Sequence, residues 1–330
     1  MKYFELLDAY TIEDAIDAMG NGAPVIAGGT DLLGVLKDKI LPEYPAVLVN
    51  IKTVHGLEYI RETDTGGVVI GANMKLCGLA ESHLIKSKYP ILKEAILSVA
   101  SPLIRNVATI GGNICQDTRC WYYRYPYQLG ARIICARKGG SNCSALSGDS
   151  RYHSIFGGLH LGSPTNRCFS VHPSDIANVL VCLNAKIHTN KKIYNADKFF
   201  LKNFIGKSKN EIVIAIELSS ANEGVIATYS KFRERESIDF AVVSVASSYN
   251  VENGIIHEAC IVLGAAAPFP LRLRKVEGFL RGKSINDDIA AQAAEIALEG
   301  AKPLKDNNYK VQIAKTLIKR SILKGVYTIG

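Results

Sequence analysis

The chain has 330 residues, of which 48% are hydrophobic and 21% are charged, and its formal net charge is +8. This length exceeds the size at which one hydrophobic core usually stops growing, so we expect two domains. The composition excludes a disordered, coiled-coil or collagen-like chain, and no apolar run has the length of a membrane span. Glu5 and Asp8 stand where a signal peptide would have its apolar core, which predicts a soluble, unexported, cytoplasmic protein.

The positive charge is spread along the chain, with one concentration between Lys302 and Lys324. At helical spacing such a run is more typical of a solvated face or a partner surface than of a nucleic-acid footprint. The interleaved aromatic residues typical of single-strand binding do not occur there. We therefore expect neither a nucleic-acid partner nor a membrane partner.

The first hundred residues predict alternating strands and helices. Strand patterns at KYFELL, PVIAGG and AVLVNI are separated by helix patterns at TIEDAIDAMG, with Thr11 as N-cap, and at TDLLGVLKDKI. A hairpin that turns at TDTGG follows. Residues 76–99 then have helical periodicity, which Pro90 interrupts.

Residues 101–119 have little helical periodicity, and residues 121–167 predict a long irregular segment, which in a compact domain is usually functional. SDIANVLVCL predicts a helix, and NAKIHT and EIVIAIEL predict strands. From about residue 224 the pattern predicts antiparallel strands with a turn at Glu252-Asn253-Gly254, followed by two helices.

Two segments share an apolar-Gly-Gly-polar pattern about eighty residues apart, namely Ala27-Gly28-Gly29-Thr30-Asp31 and Thr109-Ile110-Gly111-Gly112-Asn113. Glycine lets a ligand approach the backbone closely, and N–H groups at a helix start attract phosphate. Neither segment is a G-x-G-x-x-G fingerprint or a Walker P-loop. A pair of tight turns is the alternative, but two such loops in one domain favour a dinucleotide site.

Five of the eight cysteines fall within 54 residues: Cys115, Cys120, Cys135, Cys143 and Cys168. In a chain without an export signal, such a group indicates a metal or redox centre rather than disulfides. From Cys120 onward the gaps are 14, 7 and 24 residues, without the close pairs of zinc sites. An iron–sulfur cluster, a zinc site and plain buried thiols remain open on the residues alone. Cys77, Cys182 and Cys260 lie in apolar contexts and are interpreted as buried side chains.

Other polar residues in or after this segment carry weaker signals. We interpret His153, His160 and His172 as structural, with tuning of a redox site as the alternative. The string Lys231-Phe232-Arg233-Glu234-Arg235 predicts either a ligand contact at the domain boundary or a strand with a solvated face.

The chain resembles the FAD-binding medium subunit of the xanthine dehydrogenase family of molybdenum enzymes. The resemblance rests on AGGTDLL at 27–33, NVATIGGNICQDTRC at 106–120, HPSD at 172–175 and KFRERESIDFAVVSVA at 231–246. It implies an α+β chain: a two-part vanillyl-alcohol-oxidase (PCMH) type FAD-binding domain over 1–222, with an iron–sulfur insertion at about 120–168. A small α+β C-terminal domain over 223–330, an antiparallel sheet plus helices, would follow.

The cysteine spacing is similar to that of the β subunit of 4-hydroxybenzoyl-CoA reductase, which carries a [4Fe–4S] cluster on such an insertion. Carried over, the resemblance implies Cys120, Cys135, Cys143 and Cys168 as ligands, with Cys115 left near the flavin loop. The long gap before Cys168 departs from that pattern and leaves the substrate open.

The resemblance also implies that both glycine loops hold the FAD pyrophosphate and ribityl chain, that two carboxylates approach the flavin or its sugar, and that two further residues lie near the isoalloxazine. These residues are Val25, Ile26, Ala27, Gly28, Gly29, Thr30, Asp31 and Leu32; Ala108, Thr109, Gly111, Gly112 and Asn113; Asp117 and Asp175; and Lys231 and Phe232.

The function implied is an electron-transfer subunit without a catalytic side chain of its own. It would work beside a small [2Fe–2S] subunit and a large molybdopterin subunit, with ferredoxin or NAD(H) as outside electron partner. Alternatives are the flavoprotein subunit of a xanthine, purine, nicotinate or aldehyde dehydrogenase that uses NAD, a stand-alone flavin reductase or oxidase of the same fold and, in another class, a zinc-stabilised binding protein.

Overall fold

The computed structural model describes residues 1–20, 22–126, 133–161, 166–205, 210–221 and 224–327. The predicted domain boundary at residues 222 and 223 lies outside the described residues, as do residues 127–132 and 162–165 of the predicted insertion.

The helices follow in chain order: α1 (Ile12–Met19), α2 (Leu32–Lys37), α3 (Leu76–Glu81), α4 (His83–Lys88), α5 (Pro90–Leu97), α6 (Pro102–Arg105), α7 (Ile110–Cys115), α8 (Trp121–Arg124), α9 (Asp175–Cys182), α10 (Ala196–Ile205), α11 (Arg274–Leu280), α12 (Asp287–Ala297) and α13 (Tyr309–Tyr327). The strands are β1 (Glu5–Asp8), β2 (Val25–Ile26), β3 (Val47–Asn50), β4 (Ile60–Glu62), β5 (Val68–Gly71), β6 (Leu159–His160), β7 (Arg167–Cys168), β8 (Lys186–Thr189), β9 (Ile193–Asn195), β10 (Val213–Leu218), β11 (Val225–Phe232), β12 (Val243–Glu252), β13 (Ile255–Gly264) and β14 (Leu271–Arg272).

The chain begins with a small parallel sheet in the order β1-β3-β2, with α1 and α2 as its connections. Thr11 caps α1 in a capping box with Asp14, and Ala15 and Met19 bury the inner face of this helix. The predicted β-α-β pattern is confirmed. The first glycine pair lies where β2 turns into α2.

A second, antiparallel sheet has the order β4-β5-β10-β8-β9, and α3, α5, α7 and α9 share its apolar core. The predicted interruption at Pro90 is confirmed, since Pro90 is the first residue of α5. The same core includes Tyr229 and Cys260, which belong to strands of the C-terminal part, so the two parts pack against each other through α9.

The C-terminal part is an antiparallel sheet in the order β11-β12-β13-β14, covered by α11, α12 and α13. The predicted turn at Glu252-Asn253-Gly254 is confirmed, because Asn253 and Gly254 both have positive φ between β12 and β13.

Residues 101–119, whose sequence has little helical periodicity, contain two short helices. Pro102 opens α6 and Thr109 caps α7, so capping residues rather than periodicity start these helices of four and six residues. The described part of residues 120–168 consists of α8, two 3₁₀ turns (Ala136–Lys138 and Ser144–Leu146) and the pair β6-β7, which agrees with an irregular insertion.

Candidate functional site: two glycine turns beside four cysteines

The first glycine pair lies directly against the chain that leads into α7. A Cβ added at Gly28 would lie 2.3 Å from the carbonyl oxygen of Val107, so glycine is required for the two segments to meet. Gly29 has a φ of +69°, which glycine adopts without strain. The pair is therefore a tight turn and also one half of a junction with the second glycine segment.

The second glycine pair forms the first turn of α7. The Thr109 hydroxyl oxygen accepts a hydrogen bond from the Gly112 N–H at 3.1 Å. The Gly111 N–H donates to the carbonyl of Ala72 at 2.9 Å, and a Cβ added at Gly111 would approach the same oxygen to 2.9 Å. The end of β5 therefore fixes the position of this helix start.

Both glycine pairs line one cavity of about 880 Å³, which is at the upper end of the range for ligand sites and large enough for a dinucleotide. Every predicted cofactor-binding residue except Phe232 lines it. Phe232 ends β11 with 43% of its surface exposed and lies outside the cavity wall. The residues brought together are Val25, Ile26, Ala27, Gly28, Gly29, Thr30, Asp31, Leu32, Ala108, Thr109, Gly111, Gly112, Asn113, Asp117, Asp175 and Lys231.

The Asp31 carboxylate ties the first glycine turn to the insertion. Its Oδ1 forms an ion pair with Arg119 at 2.9 Å and accepts a hydrogen bond from Arg124 at 2.8 Å, and its Oδ2 accepts the Asp117 N–H at 2.9 Å. Burial lowers the pKa of Arg119, and the adjacent Asp31 counteracts that effect. The guanidinium of Arg119 also lies over the Phe240 ring at 4.8 Å, which links this wall to the C-terminal part.

The Asp117 carboxylate is likewise held by groups of the insertion. It accepts hydrogen bonds from Arg137 at 2.7 Å and from the Tyr123 hydroxyl at 2.7 Å. Burial and the Asp117 charge both raise the pKa of Tyr123, so its hydroxyl stays a proton donor at neutral pH. Asp31 and Asp117 thus shape the cavity wall by binding cationic side chains.

A buried ion pair joins the two parts of the chain at the far side of the cavity. Asp175 begins α9 and accepts hydrogen bonds from Lys231 Nζ and from the Tyr229 hydroxyl, each at 2.7 Å. Both charged side chains are 5% exposed. Lys231 also donates to the Ser98 carbonyl at 3.0 Å. Burial, reinforced by Asp175, raises the pKa of Tyr229 well above its usual value, so its hydroxyl stays protonated and donates to Asp175.

Cavity residues that sequence reasoning missed include some with buried polar atoms that have no hydrogen-bond partner in the described part of the chain. Among these atoms are the Tyr44 hydroxyl, Oδ1 of Asn73 and Oδ1 of Asn210. Nδ2 of Asn73 donates to the Ile51 carbonyl at 2.6 Å, which fixes the orientation of this amide. Buried polar groups are nearly always paired, so these atoms favour a polar ligand. A polar residue two positions after the end of the apolar strand β5 was the available signal for Asn73.

The predicted cysteine ligands mostly cap short helical turns. Cys120 precedes α8, Cys135 precedes Ala136–Lys138, and Cys143 precedes Ser144–Leu146. Backbone N–H groups therefore point at the sulfurs, because the first N–H groups of a helix have no partner within it. These donors are Tyr122 and Tyr123 for Cys120, Arg137 and Lys138 for Cys135, and Ala145 and Phe169 for Cys143. Cys168 lies on β7, with Sγ 3.2 Å from Oγ of Ser170.

The four sulfurs are close enough to influence one another electrostatically. Burial, with smaller contributions from Cys168 and Cys135, raises the pKa of Cys120 to about 12. Burial also raises the pKa of Cys135 and of Cys143, again with a contribution from Cys168. Cys120, Cys135 and Cys143 therefore favour the neutral thiol, and a positively charged group would be needed to stabilise their thiolates.

Within the described ranges, no three or more His, Cys, Asp and Glu side chains are arranged to hold a metal ion. The ligands of a four-iron cluster bond to different iron atoms and so lie further apart than those of one ion. Cys115 lines the flavin-sized cavity, as the sequence predicted. Cys182 and Cys260 are buried as predicted, whereas Cys77 is only partly buried.

The histidines differ in their surroundings. Nε2 of His153 lies 3.2 Å from Sγ of Cys120, and burial lowers the pKa of His153 to about 4. His172 lines the large cavity, where burial likewise lowers its pKa to about 4, and His160 is exposed on β6. Strand β11 ends at Phe232, so Arg233, Glu234 and Arg235 lie beyond it. The Glu234 carboxylate accepts a hydrogen bond from the Tyr152 hydroxyl.

The cavity and the cysteine group share a wall. Tyr123 and Arg137 line the cavity. Tyr123 also packs with Cys135 in one apolar cluster. Burial acts to lower the pKa of Arg137, but Asp117 and, to a smaller extent, Cys168 raise it above its usual value. A second cavity of about 340 Å³ is lined by Cys120 and His153 and shares Phe240 with the first. None of the described helices is both long and apolar enough to cross a membrane.

Known families match both parts of the chain. Residues 2–219 match the family described as the FAD binding domain in molybdopterin dehydrogenase, and residues 227–324 match the CO dehydrogenase flavoprotein C-terminal domain. The chain is 32% identical over 308 residues to the aldehyde oxidoreductase FAD-binding subunit PaoB of Escherichia coli K12, with 89% of this chain and 88% of the relative covered. It is 25% identical to the xanthine dehydrogenase FAD-binding subunit of Escherichia coli O157:H7, covering 98% and 96%.

Solved structures show the same fold. A carbon monoxide dehydrogenase chain from Hydrogenophaga pseudoflava superposes with a TM-score of 0.76 at 23% identity, covering 99% of this chain and 98% of that chain. A chain of quinoline 2-oxidoreductase from Pseudomonas putida 86 gives a TM-score of 0.73 at 21% identity, covering 98% of both. These likenesses place the glycine turns and the C-terminal sheet in a known two-domain arrangement.

Proposed function

The chain belongs to the FAD-binding family of molybdopterin dehydrogenases and is the medium subunit of a molybdenum hydroxylase complex, and we propose that it transfers electrons by means of FAD and one [4Fe–4S] cluster. The observation that carries the proposal is the wall formed by Tyr123 and Arg137. It separates the glycine-lined cavity from the four cysteines.

When bound, FAD would exchange two electrons as a hydride, or single electrons with clusters. The protein would position the cofactor for these transfers. The segments from Val25 to Leu32 and from Ala108 to Asn113 would hold its pyrophosphate and ribityl chain. Lys231, fixed by Asp175, would place a positive charge beside the ring system. Tyr44 and Asn73 would satisfy their unpartnered polar atoms on the ligand. No side chain here need act as an acid or base, since substrate chemistry belongs to the molybdenum subunit.

The cluster is proposed on Cys120, Cys135, Cys143 and Cys168. Their mutual electrostatic influence and the backbone N–H groups aimed at three of the sulfurs support this assignment. Such N–H groups stabilise the negative charge of cluster thiolates. This ligand set also supports the finer relation to the β subunit of 4-hydroxybenzoyl-CoA reductase. Thiols that must stay reduced suit the predicted cytoplasmic location.

The partners proposed are a small [2Fe–2S] subunit and a large molybdopterin subunit, with ferredoxin or NAD(H) as outside donor or acceptor. We also propose that the flavin domain is of the PCMH type and that the domain boundary lies at residues 222 and 223. A second candidate for the complex is an aldehyde dehydrogenase, favoured by the 32% identity to an aldehyde oxidoreductase subunit.

The flavin assignment is tested with two glycine variants of the purified complex. Gly28→Ala places a Cβ 2.3 Å from the Val107 carbonyl oxygen, whereas a Cβ at Gly34 in α2 meets nothing within 4 Å. We expect Gly28→Ala to lower FAD affinity ten- to a hundred-fold, which corresponds to about 1.4–2.7 kcal/mol. Gly34→Ala should leave it unchanged. FAD is measured by fluorescence after denaturation. Equal FAD in both variants, or none in the unaltered complex, would contradict the assignment.

A further inference from the structure

A histidine of the insertion is held against one of the four sulfurs. Nε2 of His153 lies 3.2 Å from Sγ of Cys120, and the His153 side chain is almost fully buried. Its ring packs against Trp121 and Tyr122, with centroid separations of 6.0 Å and 5.9 Å. These contacts fix the orientation of the imidazole relative to the sulfur.

The C-terminal part fixes the backbone of the same histidine. The His153 carbonyl accepts hydrogen bonds from Asn307 Nδ2 and from Lys310 Nζ, each at 3.0 Å. Both donors are fully buried, and Lys310 also donates to the Ala265 carbonyl at 2.5 Å. Three residues earlier in the insertion, Ser150 donates its N–H and hydroxyl to Asp306. The start of α13 therefore determines where His153 stands, although Cys120 lies 33 residues earlier in the chain.

We propose that His153 is a positioning residue that donates its Nε2–H to the sulfur of cluster-bound Cys120. This bond raises the reduction potential of the cluster. This inference rests on the cluster of the proposed function. A metal-bound cysteine has lost its proton, so its sulfur can only accept a hydrogen bond and the imidazole supplies the hydrogen. A hydrogen bond to a ligand sulfur stabilises the more negative, reduced cluster.

Cluster binding itself selects the ring tautomer. A ligand sulfur without its proton can only accept a hydrogen bond, and Nε2 is the ring nitrogen that lies 3.2 Å from it. The proton therefore belongs on Nε2, facing Cys120. Because α13 fixes the His153 carbonyl, docking of the C-terminal part sets the potential of a cluster whose ligands all come from the preceding part.

The test compares His153→Leu, which removes the donor, with His153→Gln, whose amide nitrogen replaces Nε2. His160→Leu, on the same insertion but exposed, is the matched control. The readouts on the anaerobically purified complex are iron and acid-labile sulfide per chain, and the midpoint potential from a titration followed by electron paramagnetic resonance. We expect His153→Leu to shift the midpoint to more negative values, His153→Gln to recover most of the shift, and His160→Leu to show none.

An unaltered midpoint in His153→Leu with its iron intact would overturn the inference and leave the proposed function standing. So would a shift in His153→Gln as large as that in His153→Leu. If His153→Leu loses its iron, His153→Gln decides: iron with the normal midpoint supports the inference, and iron with a shifted midpoint refutes it. An unaltered complex without iron would refute the proposed function itself.

Discussion

Replacing Lys310 by methionine tests how the C-terminal helix holds the insertion. Lys310 is fully buried, and its ammonium group contacts the backbone carbonyls of His153 and Ala265. Burial lowers its pKa from 10.5 to about 7. Methionine has a similar length without the charge. The variant therefore removes a buried titrating group from the junction between α13 and the insertion.

The size and sign of the effect follow from this pKa. One pKa unit corresponds to about 1.4 kcal/mol, so the lowering from 10.5 to about 7 corresponds to about 5 kcal/mol. The folded-state pKa lies below the unfolded one, so the unfolded chain binds more protons between these pH values. The free energy of unfolding then rises by about 1.4 kcal/mol for each pH unit in this window. Methionine abolishes that dependence on pH. It also removes the hydrogen bond from Lys310 to the Ala265 carbonyl, which lowers the free energy of unfolding by about 1–3 kcal/mol at every pH.

The assay is urea unfolding near pH 7 and pH 9, followed by fluorescence of Trp121, the single tryptophan, which packs beside His153. The free energy of unfolding of the unaltered protein minus that of the variant should increase by about 2–3 kcal/mol from pH 7 to pH 9. Lys319→Met, which removes an exposed partner of Asp287 from the same helix, should show the same difference at both. A difference for Lys310→Met that stays constant within about 0.5 kcal/mol would refute the reasoning.

Two further substitutions test the cysteine group and the buried ion pair. Cys135→Ser should abolish cluster absorbance while most FAD stays, because the glycine turns are held by contacts with Val107 and Ala72 and not by the cysteines. Cys77→Ser in α3 should change neither, and joint loss of FAD and iron would show that the cluster organises the flavin site. Asp175→Asn leaves the Lys231 ammonium buried without its counter-charge, so the free energy of unfolding in urea should fall by about 3–5 kcal/mol, and a loss under about 1 kcal/mol would speak against a buried pair.

Much of the fold could be predicted because local signals and tertiary structure agree. Thr11 and Asp14 form the capping box that the sequence indicates, and Asn253-Gly254 forms the expected turn. The pattern failed where elements are too short to show a period, as in α6 and α7, which begin at Pro102 and at the cap Thr109. Caps and proline, rather than periodicity, specify helices of that length.

The candidate site was predictable as segments but not as contacts. Glycine pairs and cysteines carry strong local signals, which is why the sequence located the cavity wall. The unpartnered atoms of Tyr44 and Asn73, and the contact of His153 with Cys120, depend on groups far apart in the chain. Asp31 lines the cavity as expected, and its carboxylate also forms ion pairs with Arg119 and Arg124. These arginines lie about ninety residues later in the chain, so the sequence pattern around Asp31 gives no sign of them.

We propose that one chain holds both a flavin and a four-iron cluster on the two sides of a shared wall. The most direct measurement is the content of iron, acid-labile sulfide and FAD in the anaerobically purified subunit. We predict about four iron and about four sulfide per FAD. FAD with neither iron nor sulfide, or zinc in place of both, would contradict it.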